Sequence, residues 1–388
     1  MRCKVRGIIL GDTKPSDIVV EHGRVVSIRP ADPGKADLGS RTAAVGPTLF
    51  DIQVNGVRGI DLQSARLAPE HVREMTDILA TWGVSHWAPT LVTGPLDRIE
   101  RACRVIAEAL HDKAVARAVP GIHIEGPYIS PQDGPRGAHA RRYVRKPCLR
   151  EFDRLFEAAE GHVLYVTLAP ELDGAIPFIK ALVRRGVVVA LGHHNATETH
   201  IRKAVDAGAR LCTHLGNGLA SYIPRHQNPL WPQLAEDRLA ASFIADLHHL
   251  PPAALKSLIR GKGPENTILT SDCIHAALLK PGRYALAGLP IEVKRSGRVC
   301  LTGTDLLAGS SLMLLQGVAN AARVTDLSLE QAFAAATTIP ARVLGLRHRF
   351  ALPKIGKKAE FLVFETGSPD TDKHVKLHGV FIAGGRKR

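Results

Sequence analysis

Long uninterrupted apolar stretches are missing from this 388-residue sequence. No run approaches the roughly 20 apolar residues that a membrane-spanning helix needs. The first residues, MRCKVRGIILGD, also lack the apolar core and the small-residue cleavage site of a secretory signal peptide. We therefore expect a cytoplasmic protein without a membrane-spanning segment.

Cysteine is scarce, and no two cysteines are spaced as in a C-x-x-C motif. This argues against a zinc ribbon, a redox pair or a disulfide framework, each of which needs closely spaced or numerous cysteines. We expect all six to be reduced thiols: Cys3, Cys103, Cys148, Cys212, Cys273 and Cys300.

Aromatic residues make up only 5% of the chain, whereas the formal net charge is +14 and the isoelectric point is near 9.7. The densest basic runs, at residues 136–146 and 384–388, lack the interleaved aromatic residues of a base-stacking surface. The positive charge is otherwise spread along the chain. We therefore expect no nucleic-acid partner, and an anionic small substrate accounts for the charge equally well.

Three segments differ in their hydrophobic pattern. Residues 1–46 and 351–388 show short alternating β-runs separated by turn signals, with no helical stretch. Residues 47–350 alternate apolar β-runs with helical periodicity, which is typical of β/α units around a buried parallel sheet. The sequence predicts a (β/α)₈ TIM-like barrel and a small β-sandwich domain built from both chain termini.

Eight apolar runs are candidates for the barrel strands, as a closed (β/α)₈ barrel requires. The clearest helices between them are PEHVREMTDILATWG and TETHIRKAVDAGA. Residues 222–237 are predicted to be the longest irregular stretch, and long loops in compact domains tend to be functional. The eight runs are LFDIQVNG, VSHWAPTLVT, VPGIHIEG, HVLYVTLAP, VVVALGHH, ARLCTHLG, ASFIAD and TILTSD.

Polar side chains close five of these runs. Since the C-terminal ends of barrel strands open onto one face, these side chains should converge there. Two imidazoles and a carboxylate form a familiar catalytic metal site with a position left for water, and a further carboxylate could carry protons. The residues are Gln53 with Asn55, Glu125, His193 with His194, His214, and Asp272.

Each of these residues also has a structural interpretation. A single histidine at a strand end is more often a hydrogen-bonded core or surface residue, Glu125 could cap a turn, and Asp272 could cap a helix. Neighbouring strand residues point to opposite faces, so His193 and His194 cannot both enter the barrel mouth from regular β-structure. We choose His193 as the metal ligand and place His194 outside the ligand set.

An ordered set of motifs covers nearly the whole chain. Through these motifs the chain resembles the N-acetylglucosamine-6-phosphate deacetylases of the amidohydrolase superfamily. The motifs are FDIQVNG at 50, GVSHWAPTLVT at 83, GIHIEGPYIS at 121, VTLAPE at 166, GHHNAT at 192, THLGNG at 213, FIADLHH at 243, SDC at 271 and LAGSSL at 307.

The resemblance implies specific roles. Glu125, His193 and His214 would hold the metal, and Asp272 would be the general acid and base. His139 would contact and help polarise the acetamide carbonyl. A homodimer acting on a phosphorylated amino sugar is also implied. The remaining implied substrate-binding residues are Asn217, Gly218, Arg225, His249, Leu307 and Gly309.

Some positions depart from the broader pattern. Where the superfamily has H-x-H after the first strand, this chain has Gln53-Val54-Asn55, as in a branch of the deacetylases with a single metal. We therefore predict one divalent ion, with zinc as the first expectation, although the same ligands accept iron, manganese or cobalt. Leu247 replaces a glycine of the family motif, and Cys273, Ile274 and His275 replace small residues.

Removal of acetate from N-acetylglucosamine 6-phosphate is thus the leading hypothesis. One alternative keeps the fold and metal but changes the substrate to another N-acyl sugar or an N-acyl amino acid. A second alternative, from a different class, is a barrel that has lost catalysis and serves as a binding protein.

Overall fold

The computed structural model describes residues 2–286, 289–347, 350–366 and 375–388. The β-strands, in chain order, are β1 (Arg2–Ile9), β2 (Ser16–Glu21), β3 (Arg24–Pro30), β4 (Leu38–Gly46), β5 (Leu49–Val54), β6 (Gly56–Val57), β7 (Ile60–Asp61), β8 (Val84–Val92), β9 (Ile122–Glu125), β10 (Val163–Leu168), β11 (Val188–Leu191), β12 (Leu211–Cys212), β13 (Ala240–Ile244), β14 (Thr267–Thr270), β15 (Gly282–Leu286), β16 (Leu289–Val293), β17 (Val299–Leu301), β18 (Phe361–Glu365), β19 (Lys376–Ile382) and β20 (Gly385–Arg386).

The α-helices are α1 (Pro69–Thr81), α2 (Leu96–Ala109), α3 (Lys113–Ala118), α4 (Leu149–Ala158), α5 (Ala175–Arg184), α6 (Glu198–Asp206), α7 (Leu230–Ala235), α8 (Pro252–Lys262), α9 (Leu314–Val324), α10 (Leu329–Ala334) and α11 (Thr338–Val343). Short 3₁₀ turns occur at Arg141–Tyr143 and Pro264–Asn266. In the described part of the chain, no helix combines the length and the apolar character needed to cross a bilayer.

A parallel sheet of eight strands forms the centre of the molecule, in the order β5, β8, β9, β10, β11, β12, β13 and β14. The ends of the sheet meet, since the backbone N–H of Asn55 donates to the carbonyl of Cys273 over 2.8 Å. Oδ1 of the buried Asp51 adds to this closure by accepting from Thr270 Oγ1 at 2.9 Å and from the Ser271 N–H at 3.1 Å. The predicted (β/α)₈ barrel and its eight strands are confirmed.

The apolar pattern explains why the strands and helices take these positions. Every residue of β10 is buried, as expected of a strand that is covered on both faces. Helix α2 buries Ile99, Ala102, Cys103 and Ile106, whose spacing puts them on one helix face. The barrel therefore has a continuous apolar layer between strands and helices, and polar side chains at strand ends are left at the mouth.

The two chain termini pair in one seven-stranded sheet, in the order β20, β19, β18, β4, β1, β2 and β3. The C-terminal β18 lies antiparallel to β4, with Val363 opposite Val45. Side chains from both termini, such as Val5, Ile18 and Phe361, share a separate apolar core. The small β domain built from both ends of the chain is thus confirmed, while its exact boundaries stay a prediction.

Two local elements differ from the sequence prediction. Residues 222–237 are not irregular throughout, because helix α7 begins at Leu230, where the side-chain oxygen of Asn228 accepts from the Leu230 N–H at 3.0 Å. Pro229 and Pro232 obscure this helix in the sequence. An unpredicted three-stranded antiparallel sheet, β15–β17, lies after the last barrel strand. All six cysteines are free thiols, as expected.

Candidate active site

Three side chains with metal-binding groups meet at the C-terminal ends of adjacent barrel strands. Glu125 is the last residue of β9, while His193 and His214 each lie two residues beyond the end of β11 and β12. Nε2 of His193 and Nε2 of His214 lie 3.1 Å and 3.0 Å from Oε1 of Glu125, and 3.1 Å from each other. All three side chains are buried. We call them the Glu-His-His trio.

The backbone at this face is unusual. His193, His214 and Asp272 have φ angles of 53°, 30° and 51°, in the left-handed region that non-glycine residues seldom occupy. Such conformations cost free energy and cluster at functional sites, where the surrounding structure enforces them. Each of these residues follows a buried strand, so the turn reorients the chain immediately after β-structure ends.

The geometry of the trio fits a divalent metal ion. One ligand atom from each residue lies within 4.8 Å of the other two. For comparison, ligand atoms about 2.1 Å from a tetrahedral zinc ion are about 3.4 Å apart. Nδ1 of His193 is 2.9 Å from the carbonyl oxygen of Pro135 and can donate there, so Nε2 is the atom that His193 offers to a metal ion beside Glu125 and His214.

Glu125 is held in its ionised form. Burial alone would raise its pKa, but the contacts with His193 and His214 outweigh burial and hold the pKa well below its usual range. Gln53 Nε2 adds a hydrogen bond of 3.1 Å to Oε2 of the same carboxylate. A carboxylate that remains ionised can serve as a metal ligand.

Asp272 lies beside the trio but has different partners. Its Oδ1 accepts hydrogen bonds from Gln53 Nε2 at 2.9 Å and from Asn55 Nδ2 at 2.7 Å. Burial and repulsion by Glu125 raise the pKa of Asp272 to about 7, a value suited to proton transfer near neutral pH. The helix-capping interpretation is excluded, because residues 273–279 form a bridge and turns rather than a helix.

His139 reaches the same space from the loop after β9. Its Nδ1 lies 2.8 Å from Thr93 Oγ1, and its Nε2 lies 3.2 Å from Nε2 of His193. Burial, followed by repulsion from His193, lowers the pKa of His139 to about 3. The ring is therefore neutral at physiological pH and can donate one hydrogen bond into the site.

The comparisons with known proteins match this geometry. The profile of the Amidohydrolase family matches residues 44–386, which is most of the chain. The chain belongs to the amidohydrolase family. Its resemblance to the N-acetylglucosamine-6-phosphate deacetylases is confirmed by a relative of that name from Vibrio furnissii, which is 31% identical over 87% of this chain and 83% of the relative.

Two further proteins are similar over most of their length. An N-acetylgalactosamine-6-phosphate deacetylase from Escherichia coli O157:H7 is 34% identical to this amidohydrolase over 83% of each chain. The solved structure of a Mycobacterium smegmatis N-acetyl-D-glucosamine-6-phosphate deacetylase, an Asp-to-Ala variant in complex with N-acetyl-D-glucosamine-6-phosphate, superposes with a TM-score of 0.85 at 29% identity. The match covers 100% of this chain and 99% of the other.

His194 of this amidohydrolase points away from the trio. It is 2% exposed, and its Nδ1 accepts from the backbone N–H of Ala196 at 3.2 Å. Its ring also bonds to the Gln233 side chain, although burial dominates and lowers the pKa of His194 to about 4. His193 faces the trio because the strand ends at Leu191 and the chain turns at His193 itself.

Four of the residues expected to bind substrate adjoin the metal site or Asp272. Asn217 donates from Nδ2 to the carbonyl of His214 at 3.2 Å, and a Cβ atom added to Gly218 would lie 3.0 Å from Nδ1 of His193. A Cβ atom on Gly309 would lie 3.4 Å from the carbonyl oxygen of Asp272. His249 pairs with Asp246 at 2.8 Å, within reach of the charge of Asp272.

Two other expected residues have contacts outside the trio. Leu307 bridges to Cys300 at the base of the β16–β17 hairpin. Arg225 lies in an exposed stretch, and its backbone carbonyl accepts from the indole N–H of Trp231 at 3.0 Å. Its guanidinium has no hydrogen bond or ion pair within the described residues, so no contact of this kind joins Arg225 to the trio.

Several supporting residues were not predicted from the sequence. Ser242 Oγ accepts from the backbone N–H of His214 at 2.8 Å, and Thr93 holds the ring of His139. Each is a single hydroxyl residue outside any chemical motif, so only the fold reveals its position. Leu247 has a φ of 64°, which shows that the expected glycine position keeps a left-handed backbone even with a leucine side chain.

Proposed function

We propose that this amidohydrolase hydrolyses the acetamide of N-acetylglucosamine 6-phosphate, releasing acetate and leaving glucosamine 6-phosphate. The observation that carries the proposal is the position of the Glu-His-His trio beside Asp272 at the barrel mouth, where Gln53 Nε2 bonds to both Glu125 and Asp272. The Vibrio furnissii relative, which is similar over most of both chains, supports the choice of substrate.

Glu125, His193 and His214 would hold one divalent ion, for which we propose zinc. Two imidazole nitrogens and one carboxylate oxygen suit zinc, and three protein ligands leave a coordination position open. When bound, such an ion lowers the pKa of water and polarises a carbonyl, the two requirements of amide hydrolysis. Gln53 and Asn55 stand where a second pair of histidine ligands would be needed, so we propose a single ion.

Asp272 carries the protons in this proposal. In its ionised form it accepts a proton from the attacking water, and it then returns that proton to the nitrogen of the leaving amine. The two amide donors on Oδ1 fix the carboxyl group in orientation. Within the described residues, both of these donors bind Oδ1, and Oδ2 is the oxygen that we assign to proton transfer.

His139 orients the substrate carbonyl. In our proposal the Thr93 hydroxyl donates to Nδ1 of the neutral ring, 2.8 Å away, so that the ring carries its hydrogen on Nε2. A neutral imidazole can donate to the acetamide oxygen without adding a positive charge next to the metal ligands. We propose this contact as the second source of carbonyl polarisation.

N-acetylgalactosamine 6-phosphate is the second candidate substrate, because the Escherichia coli O157:H7 relative of that specificity is 34% identical over 83% of each chain. The two sugars differ only in the configuration at C4, far from the acetamide. The chemistry at Asp272 is the same for both, so the choice between them concerns pocket shape alone.

Acetate release from a substrate panel tests the proposal. The panel contains both sugar 6-phosphates, unphosphorylated N-acetylglucosamine and an N-acetyl amino acid, each assayed with protein of measured metal content. We expect acetate and free amine in equal amounts from one of the phosphorylated sugars. Preference for the N-acetyl amino acid would reject the substrate, and metal-loaded protein without activity on any member would favour a binding protein.

A homodimer and a cytoplasmic location complete the proposal. The side chains of Tyr222 and Trp231, on the loop that carries Arg225, are 95% and 50% exposed, and aromatic side chains of this kind are enriched at protein interfaces. A doubly charged sugar phosphate does not cross a bilayer unaided, so the enzyme should meet it inside the cell. Light scattering of the purified protein would measure the oligomeric state.

A further inference from the structure

The turn of the β16–β17 hairpin, residues 294–298, is anchored at the barrel mouth. His248 Nε2 lies 2.9 Å from the carbonyl oxygen of Ser296, and Ser311 Oγ donates to the carbonyl of Gly297 at 2.7 Å. At the base of the hairpin, the Ala308 N–H donates to the carbonyl of Val299 at 3.3 Å. The turn is thus fixed between the loop after β13 and the loop that contains Gly309.

Arg298 is incompletely paired in this anchored turn. Its Nε is buried and has no hydrogen-bond partner among the described residues. Nη2 donates to the carbonyl of Asp305 at 3.0 Å, but the carboxylate of Asp305 is 3.5 Å away and 98% exposed, and the Arg298 side chain as a whole is 37% exposed. A buried guanidinium N–H without an acceptor is costly. Water therefore competes for the one acidic partner, and the Arg298 charge is left available for a bound anion.

His249 links Arg298 to the reaction centre. Its side chain is 7% exposed, and Nδ1 is bound to Asp246 Oδ2 at 2.8 Å, so Nε2 is directed elsewhere. Burial lowers the pKa of His249, but Asp246 and then Asp272 raise it overall against repulsion from Arg298. The backbone gives the same connection: His248, which precedes His249, is bonded to the turn that carries Arg298, and the Ser310 N–H donates to the carbonyl of Asp272 at 3.0 Å.

We propose that Arg298 binds the phosphate of the sugar substrate from within the same chain, at the end of the site away from Asp272. This inference rests on the proposed function, since it assumes a phosphorylated substrate. A guanidinium presents paired N–H donors that match two phosphate oxygens. Arg298 thereby determines specificity for a phosphorylated over an unphosphorylated sugar, a role that does not require the exposed Arg225.

Arg298→Met tests this role, with Arg295→Met as the matched control. Arg295 lies on the same turn but is exposed and lines a cavity between the barrel and the C-terminal strands, which Arg298 does not line. We expect Arg298→Met to lower kcat/KM for the phosphorylated sugar roughly 10- to 100-fold, through KM, as loss of a charge-assisted hydrogen bond implies. The kcat/KM for unphosphorylated N-acetylglucosamine should stay unchanged, Arg298→Lys should recover part of the loss, and Arg295→Met should match the wild type.

If Arg298→Met lowers kcat/KM equally for both substrates, the proposal is overturned in favour of a structural role for the hairpin. If it lowers kcat/KM for neither substrate, the proposal is overturned outright. Calorimetric binding of glucosamine 6-phosphate separates this question from catalysis. If the wild type releases no acetate but binds the sugar phosphate, and Arg298→Met alone weakens binding, the proposed reaction fails while the phosphate contact stands. If neither variant changes binding, the phosphate contact fails independently of catalysis.

Discussion

The side-chain amide of Gln53 donates a hydrogen bond to Oδ1 of Asp272 over 2.9 Å, and the same nitrogen lies 3.1 Å from Oε2 of Glu125. One neutral donor thus spans two buried carboxylates that would otherwise repel each other. A second metal ion would supply positive charge at this position. In our proposal the amide therefore separates the carboxylate that would bind metal from the one that would exchange protons.

Converting both Gln53 and Asn55 to histidine should create a second metal site. In Gln53→His combined with Asn55→His, two imidazoles would face the carboxylates of Glu125 and Asp272, and imidazole with carboxylate is a favourable ligand set. We expect elemental analysis to give one divalent ion per wild-type chain and a value approaching two in the double variant. Two ions in the wild type, or an unchanged content in the double variant, would refute this account of Gln53.

The two adjacent histidines should behave differently. His193→Asn removes a ligand, so its metal affinity should fall by at least the roughly 10- to 100-fold typical of losing even an outer-shell partner. His194→Asn alters a ring that contacts Gln233 rather than the trio, and it should retain a full metal complement. Metal content after dialysis against a weak chelator measures both, and the opposite ranking would reassign the ligand.

The pH dependence of kcat should show one acid limb that belongs to Asp272. The carboxyl must be ionised to accept a proton, so activity should fall as the pH drops through its pKa. Burial and repulsion by Glu125 raise that pKa to about 7, and a bound divalent cation lowers it, so the midpoint should lie between the ordinary 3.8 and 7. A rate that stays constant across this interval would contradict the assignment.

The terminal β domain contains an ion pair that should matter for stability. Arg6 Nε donates to Oδ1 of the buried Asp17 at 2.6 Å, and this contact, against the opposing effect of burial, lowers the pKa of Asp17 to about 2. Asp17→Asn leaves the buried Arg6 charge with only the half-exposed Asp32 as an acidic partner, so it should cost about 2 kcal/mol of unfolding free energy at pH 7, less than the roughly 3 kcal/mol of a fully unpaired buried charge. Urea unfolding would measure this, with the exposed Asp12→Asn as a neutral control.

The sign of the pH effect at Asp17 is fixed by the direction of its shift. A folded-state pKa of about 2, below the ordinary 3.8, means that the stabilisation is complete above 3.8 and is lost as the pH falls toward 2. The difference in unfolding free energy between the wild type and Asp17→Asn should therefore shrink as the pH falls from roughly 5 to 2, as linkage requires. A constant difference over this interval would show that the ionised carboxylate is not the source.

The barrel could be predicted from the sequence because each strand is a short apolar run that ends in turn residues. The same feature located the Glu-His-His trio and Asp272, since strand ends share one face. Their exact orientation was not predictable, because it depends on left-handed backbone at His193, His214 and Asp272. A sequence pattern that assumes regular strands cannot show how close His193 and His194 each lie to the other members of the trio.

The hairpin that contains Arg298 could not be predicted in the same way. Its strands are short, and its position depends on contacts with residues far along the chain, such as that of His248 with Ser296. Helix α7 was hidden by prolines at residues 229 and 232, although the side chain of Asn228 accepts from its first N–H group. Long-range contacts and local capping both lie outside the periodicity that identifies the barrel.

Paired measurements on Asp272→Asn test the central claim most directly: acetate release from N-acetylglucosamine 6-phosphate and metal content of the same preparation. The substitution preserves the shape of the side chain but removes the group that carries the proton. We predict that turnover falls by at least about 1000-fold, within the range attributed to general acid–base catalysis, while one divalent ion per chain is retained. Turnover near the wild-type rate in a metal-replete variant would contradict the account.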